Sequence, residues 1–127
     1  MMIFGIGTDI VRVARMQKSL EKYGERFARR ILTETEFAGF QKNVRPANFL
    51  AKRFAAKEAT AKAMGTGFNQ GLSLHHISVG HDALGKPLLE FSGAASDFMK
   101  KHGIVESHIS LADEAEYAVA FVTLVSK

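Results

Sequence analysis

The chain has 127 residues, 46% of them hydrophobic, with only two prolines, and this composition excludes a disordered or multidomain protein in favour of one folded domain over 1–127. It has no cysteine, which excludes disulfides, thiolate metal sites and cysteine nucleophiles. A formal net charge of +4 is unevenly spread: Arg12, Arg15, Lys18, Lys22, Arg26, Arg29 and Arg30 crowd one early stretch, while Glu106, Asp113, Glu114 and Glu116 dominate the end. That asymmetry points to an acidic partner for the N-terminal region.

The first residues form a short apolar run without a basic leader, so no signal peptide is expected. No apolar run reaches the roughly 20 residues of a bilayer span. A soluble cytoplasmic protein with no membrane association is the expectation.

Residues 2–8 predict a buried strand. Its alternation puts Gly5, Gly7 and Asp9 on one face and Phe4, Ile6 and Ile10 on the other. The two glycines clear space for something to approach the Asp9 carboxylate. Residues 11–23 follow a helical period, with Val13, Met16 and Leu20 on an apolar arc beside the basic stripe. Gly24 is placed to break that helix.

Thr33 and Glu36 have the spacing of a capping box opening a helix to about residue 42. Pro46 starts the next helix, which runs to about Met64 and stops at Gly65 and Gly67. Strands are predicted over 77–80 and 88–91, a helix over 94–102, and a closing hairpin over 105–112 and 117–125. This order gives an α+β fold, a mostly antiparallel sheet with helices packed on one side.

The helix ending at Met64 carries the densest chemistry. Glu58 and Lys62 are four apart and share a face with Phe54, while Arg53 and Lys57 form a second row about 100° around the axis. Alanines 55, 56, 59, 61 and 63 let backbone or a ligand come close. Two readings stand side by side: an exposed helix laced with salt bridges, or a carboxylate held among cations for a metal ion and phosphate. Asp9 supplies a second carboxylate, and its alternative role is to cap the helix that follows. Magnesium takes hard oxygen ligands, often one or two carboxylates with water and substrate phosphate, which Asp9 and Glu58 fit.

Residues 65–71 lack the Lys-Ser/Thr pair of a Walker loop, which leaves a helix cap. Histidines 75, 76, 81, 102 and 108 match no zinc spacing. Ser73 has no motif that would make it a nucleophile.

Three segments in this order, Ile6-Gly7-Thr8-Asp9-Ile10, residues 54–67 with Lys57, Glu58 and Lys62, and His108-Ile109-Ser110 followed by Tyr117-Ala118-Val119-Ala120, resemble the short bacterial type of the 4′-phosphopantetheinyl transferases. The resemblance covers nearly the whole chain. It implies a magnesium-dependent transfer of the phosphopantetheine arm from coenzyme A to a serine of an acyl carrier protein, in support of fatty acid biosynthesis. It also implies a homotrimer with sites between neighbours.

By motif match, Asp9 and Glu58 are the implied magnesium ligands and Glu58 and Lys62 the implied catalytic groups. Arg53, Lys57, Lys62 and Gly65 are the implied coenzyme A contacts, and Arg12, Arg15 and Met16 the implied docking surface for the acidic carrier. One departure stands out. Asp113 occupies the place where many members carry a histidine, so a base role there does not carry over directly, and Asp113 is read first as closing a turn. The competing readings are a small basic nucleic-acid-binding domain and a non-catalytic assembly subunit. Neither gives Asp9 and Glu58 a task, and no nucleic-acid motif is present.

Overall fold

A computed structural model describes residues 1–127. Strand β1 (Met2–Arg12) leads into helices α1 (Val13–Tyr23), α2 (Glu25–Ile31), α3 (Glu34–Lys42) and α4 (Pro46–Met64). A hairpin of β2 (Ile77–His81) and β3 (Pro87–Phe91), helix α5 (Gly93–Lys101), and strands β4 (Ile104–Asp113) and β5 (Tyr117–Ser126) complete the chain. Two antiparallel sheets result, one ordered β1-β5-β4 and one made of β2 and β3.

Helix α4 lies against the β1–β5 pair, and glycine makes that contact possible. A Cβ at Gly7 would overlap the carbonyl oxygen of Ala59, and one at Gly5 would overlap that of Ala63. The clearance anticipated at these glycines is thus taken by the α4 backbone. The alanines of α4 have the same use: Ala55, Ala56, Ala59, Ala61 and Ala63 are all buried, facing a core that includes Ala118, Ala120, Val122 and Leu124 of β5.

β1 continues past the expected end at residue 8, because β5 pairs with it through Asp9, Ile10, Val11 and Arg12. Asp9 is therefore a mid-strand residue and does not cap α1. The cap position is Arg12, and the first helical N–H, from Val13, donates to the Glu116 carbonyl at 2.9 Å. Gly24, at φ 63°, ends α1 as expected, so Arg26, Arg29 and Arg30 sit on a separate helix and the basic stripe is broken.

The capping box at α3 is present and does more than cap. Glu36 Oε1 accepts from the Thr33 N–H at 2.9 Å and from Lys57 Nζ at 2.6 Å, while Oε2 accepts from the Val79 N–H at 2.8 Å. Lys57 Nζ also donates to the carbonyls of Ile31 (2.6 Å) and Leu74 (3.1 Å). One buried ion pair thus ties α2, α3 and α4 to the β2–β3 hairpin. Burial pulls the Lys57 amine below its ordinary value, and Glu36 opposes that pull.

Two expectations are corrected by burial. Lys57 is 0% exposed with its three N–H donors all engaged, so it has nothing to offer coenzyme A. Met16 is 1% exposed in the core, where a carrier protein does not reach it. The other face of the three-stranded sheet is bare: Ile3, Ile6, Ile10 and Phe121 are 46–63% exposed. No helix is long and apolar enough to cross a membrane.

Lys57→Met is expected to unfold at lower urea, by about 3–5 kcal/mol of stability, because it strands the buried Glu36 carboxylate. A variant with unchanged unfolding but weaker coenzyme A binding would return Lys57 to the ligand set.

Candidate active site

The flush packing of α4 on β1 carries Glu58 and Lys62 over Asp9. Lys62 Nζ lies 3.1 Å from Asp9 Oδ1 and donates to the Thr8 carbonyl at 3.0 Å. The Asp9 side chain is 18% exposed and that of Lys62 53%, so the ammonium stands at the rim and the carboxylate below it. Burial raises the Glu58 carboxyl above its ordinary value, and the Asp9 charge raises it further. Lys62 and Arg15 pull it the other way.

Two carboxylates close enough to repel thus share one outer surface with two cations, Lys62 beside Asp9 and Arg15 within electrostatic reach of Glu58. No group of three or more His, Asp or Glu side chains gathers anywhere in the chain, so an all-protein cage is not what the fold offers. Asp9 and Glu58 are the two side chains here that could hold a magnesium ion, which usually takes one or two carboxylates and completes its shell with water and phosphate oxygens.

Gly65 adopts φ 81° just past the end of α4, and its N–H donates to the carbonyls of Ala61 and Lys62. It is a helix cap, as the sequence indicated, and no phosphate loop is built there. Arg15 lies with its guanidinium carbon 5.5 Å from the Phe54 ring centre, next to this cluster. Arg12 lies 5.9 Å from the Tyr117 ring and points along an exposed surface.

Arg53 is elsewhere. It borders a cleft of about 410 Å³ with Asn43, Lys52, His81 and Asp113, closed below by Phe49. Its guanidinium carbon stacks 4.3 Å from the Phe49 ring centre, and its Nε is buried with no hydrogen-bond partner, 3.8 Å from Glu36 Oε2. Asp113 ends β4 in this cleft, 3.9 Å from Lys52 Nζ, while the Glu114 N–H closes the hairpin onto the Tyr117 carbonyl. Lys52 and His81 had no role in the sequence reading, since neither sits in a motif. Only the fold brings the end of β2 against α4. His108 is exposed and paired with Glu106 at 3.1 Å, outside both clusters.

Residues 5–122 match the model of the 4′-phosphopantetheinyl transferase superfamily. The chain is 58% identical over 126 residues to the holo-[acyl-carrier-protein] synthase of Nitrosococcus oceani, covering 99% of this chain and 82% of that one. Its structure is similar to that of holo-[acyl-carrier-protein] synthase from Neisseria meningitidis, with a TM-score of 0.93 and 46% identity, covering 98% and 100% of the two chains. It is also similar to the Bacillus anthracis holo-(acyl-carrier-protein) synthase solved with CoA (3′,5′-ADP), with a TM-score of 0.82, 40% identity and full coverage of both.

Removing one carboxylate should show directly in the other. In Asp9→Asn, carbon-detected NMR titration is expected to find the Glu58 carboxyl closer to its ordinary value, and in Lys62→Met further above it. An unmoved Glu58 in both variants would mean that the three groups do not share a site.

Proposed function

The chain belongs to the 4′-phosphopantetheinyl transferase superfamily, and we propose that it is a holo-[acyl-carrier-protein] synthase whose reaction is carried out at the Asp9–Glu58–Lys62 cluster. It transfers the 4′-phosphopantetheine arm of coenzyme A to a serine of acyl carrier protein and releases 3′,5′-ADP. The observation that carries the site assignment is the pair of mutually repelling carboxylates, on β1 and α4, under the Lys62 ammonium.

The serine oxygen forms a bond to the phosphorus that bears pantetheine, the bond from that phosphorus to 3′,5′-ADP breaks, and the serine proton is lost to a base. The nucleophile comes from the carrier, so the absence of cysteine and of a serine triad is in keeping with the chemistry. Magnesium held by Asp9 and Glu58 would neutralise the pyrophosphate and make its phosphorus more electrophilic. Lys62, exposed at the rim, places its ammonium where charge grows on the departing 3′,5′-ADP. Glu58, with its carboxyl held above the ordinary range, is the residue to which the serine proton is assigned. Asp113 lies in the other cleft beside Lys52 and is given no catalytic part.

Coenzyme A carries a pyrophosphate and a phosphate monoester. The first is assigned to the Asp9–Glu58–Lys62 cluster with Gly65 nearby, the second to the Arg53 cleft. On an α-helix, Arg53 points about 140° away from Glu58 and about 180° from Lys62. One copy therefore does not present both clusters to one ligand, which supports a homotrimer with sites between neighbours. The bare apolar face of the β1-β5-β4 sheet is a surface such an assembly would cover. Arg12 and Arg15 form the docking surface for the acidic carrier. Fatty acid biosynthesis and a cytoplasmic location complete the reading.

Incubation with coenzyme A, magnesium and apo-carrier protein is expected to add the phosphopantetheine mass to the carrier. An unmodified carrier would refute the reading. Glu58→Gln and Asp9→Ala should each lower turnover by more than about 100-fold, the scale of losing one preorganised charge contact. Near-normal turnover at limiting magnesium would remove the metal assignment. Arg12→Glu should raise the KM for carrier while leaving that for coenzyme A unchanged, and it is a cleaner test than reversal at Arg15, whose charge also reaches Glu58.

A further inference from the structure

The Arg53 cleft holds a histidine that the proposed reaction leaves without a role. His81 ends β2, opposite Pro87 of β3, and its ring has no hydrogen-bond partner in the protein. Two cations and two carboxylates surround it, and each carboxylate has a partner of its own. From α4 come Lys52 and Arg53, and from α3 the uncharged Asn43. From β4 comes Asp113, which is committed to Lys52. The neighbouring Asp82 uses its carboxylate on the N–H groups of Leu84 and Lys86, both at 2.9 Å. Glu36, behind Arg53, is already balanced by Lys57.

Arg53 is the second sign that the cleft expects an anion. Its Nε is buried toward Glu36, and its two terminal nitrogens, which border the cleft, donate to no group of the protein. Those terminal N–H groups are the donors a bound anion in the cleft would meet, in the charge-assisted geometry a guanidinium favours.

We propose that His81 is a third cationic contact in this cleft, joining Lys52 and Arg53 on the phosphate monoester of coenzyme A, and that it makes coenzyme A affinity fall as pH rises. The inference rests on the reading that the Arg53 cleft takes that monoester. Without ligand, desolvation first and then the charges of Arg53 and Lys52 hold the imidazole below its ordinary value, with Asp82 opposing weakly, so it is neutral near pH 7. A phosphate dianion between the three groups reverses that balance. The imidazole takes up a proton as ligand binds, and by linkage the tighter-binding form is the one at lower pH.

The test is calorimetric binding of coenzyme A and of dephospho-coenzyme A, which lacks the monoester, to the full-length protein with magnesium present and no carrier. His81 is exposed and unpartnered, so His81→Gln leaves the fold intact. The ligand's own phosphate titrates identically against both proteins, and the difference between their profiles isolates His81. Wild type is expected to gain about 1.5-fold to fivefold over the variant in coenzyme A affinity between about pH 8.5 and about pH 6.5, the range for a solvent-exposed ion pair. Dephospho-coenzyme A should show no such difference. Superimposable pH profiles for wild type and His81→Gln would overturn the role of His81. Arg53→Gln separates the two readings: if it too binds coenzyme A like wild type, the cleft itself is misassigned. If it binds weakly while His81→Gln behaves as wild type, only the histidine contact fails.

Discussion

The close approach of α4 to β1 is the constraint on which the rest of this molecule depends. Two carbonyl oxygens of the helix, from Ala59 and Ala63, occupy the places where side chains of β1 would otherwise stand, at Gly7 and Gly5. Helix and strand can meet this tightly only because one presents alanines and the other glycines. The result is chemical as well as mechanical. With the backbones so near, Lys62 reaches Asp9 and the Thr8 carbonyl from its own helix, and the Glu58 carboxyl feels the Asp9 charge. A bulkier seam would move Glu58 away from the Asp9 charge and Lys62 out of reach of Asp9.

The charged rows of α4 meet opposite fates, and the cause is what each row faces. Lys57 points into the junction of α2, α3 and the β2–β3 hairpin, where Glu36 and two carbonyls satisfy it completely. Arg53 is covered from the same side by Phe49, with its Nε buried toward Glu36, and borders a cleft. Glu58 and Lys62 point toward β1 and the open rim. One helix thus separates a cation that holds the fold together from others that border solvent-filled surfaces.

Much of this was legible in the sequence, because its signals were local. The capping box at Thr33 and Glu36, the break at Gly24, Pro46 opening α4 and Gly65 closing it are each decided by a few adjacent residues. What was not legible depended on contacts distant along the chain. Lys57 looks no different from Arg53 or Lys62 until Glu36 is folded beneath it. Met16 lies on the apolar arc of α1, yet its complete burial follows from the packing of α1 against α4. Asp9 precedes a helix closely enough to read as its cap, and only pairing with Ala120 across the sheet keeps it in strand. His81 carries no motif at all.

The open sheet face and the divided ligand groups bear on one question from independent directions. Ile3, Ile6, Ile10 and Phe121 leave apolar surface in water on one side of the β1-β5-β4 sheet, a cost that association would relieve. On the other side, α4 directs Arg53 and Lys62 to opposite surfaces, as 900° of accumulated helical rotation between residues nine apart requires. A substrate that carries a pyrophosphate and a phosphate monoester on one nucleotide is poorly served by such a chain alone. It is well served where the Asp9 cluster of one copy faces the Arg53 cleft of the next. Helix geometry and sheet exposure arise from unrelated parts of the sequence, so their agreement on self-association is stronger than either observation alone.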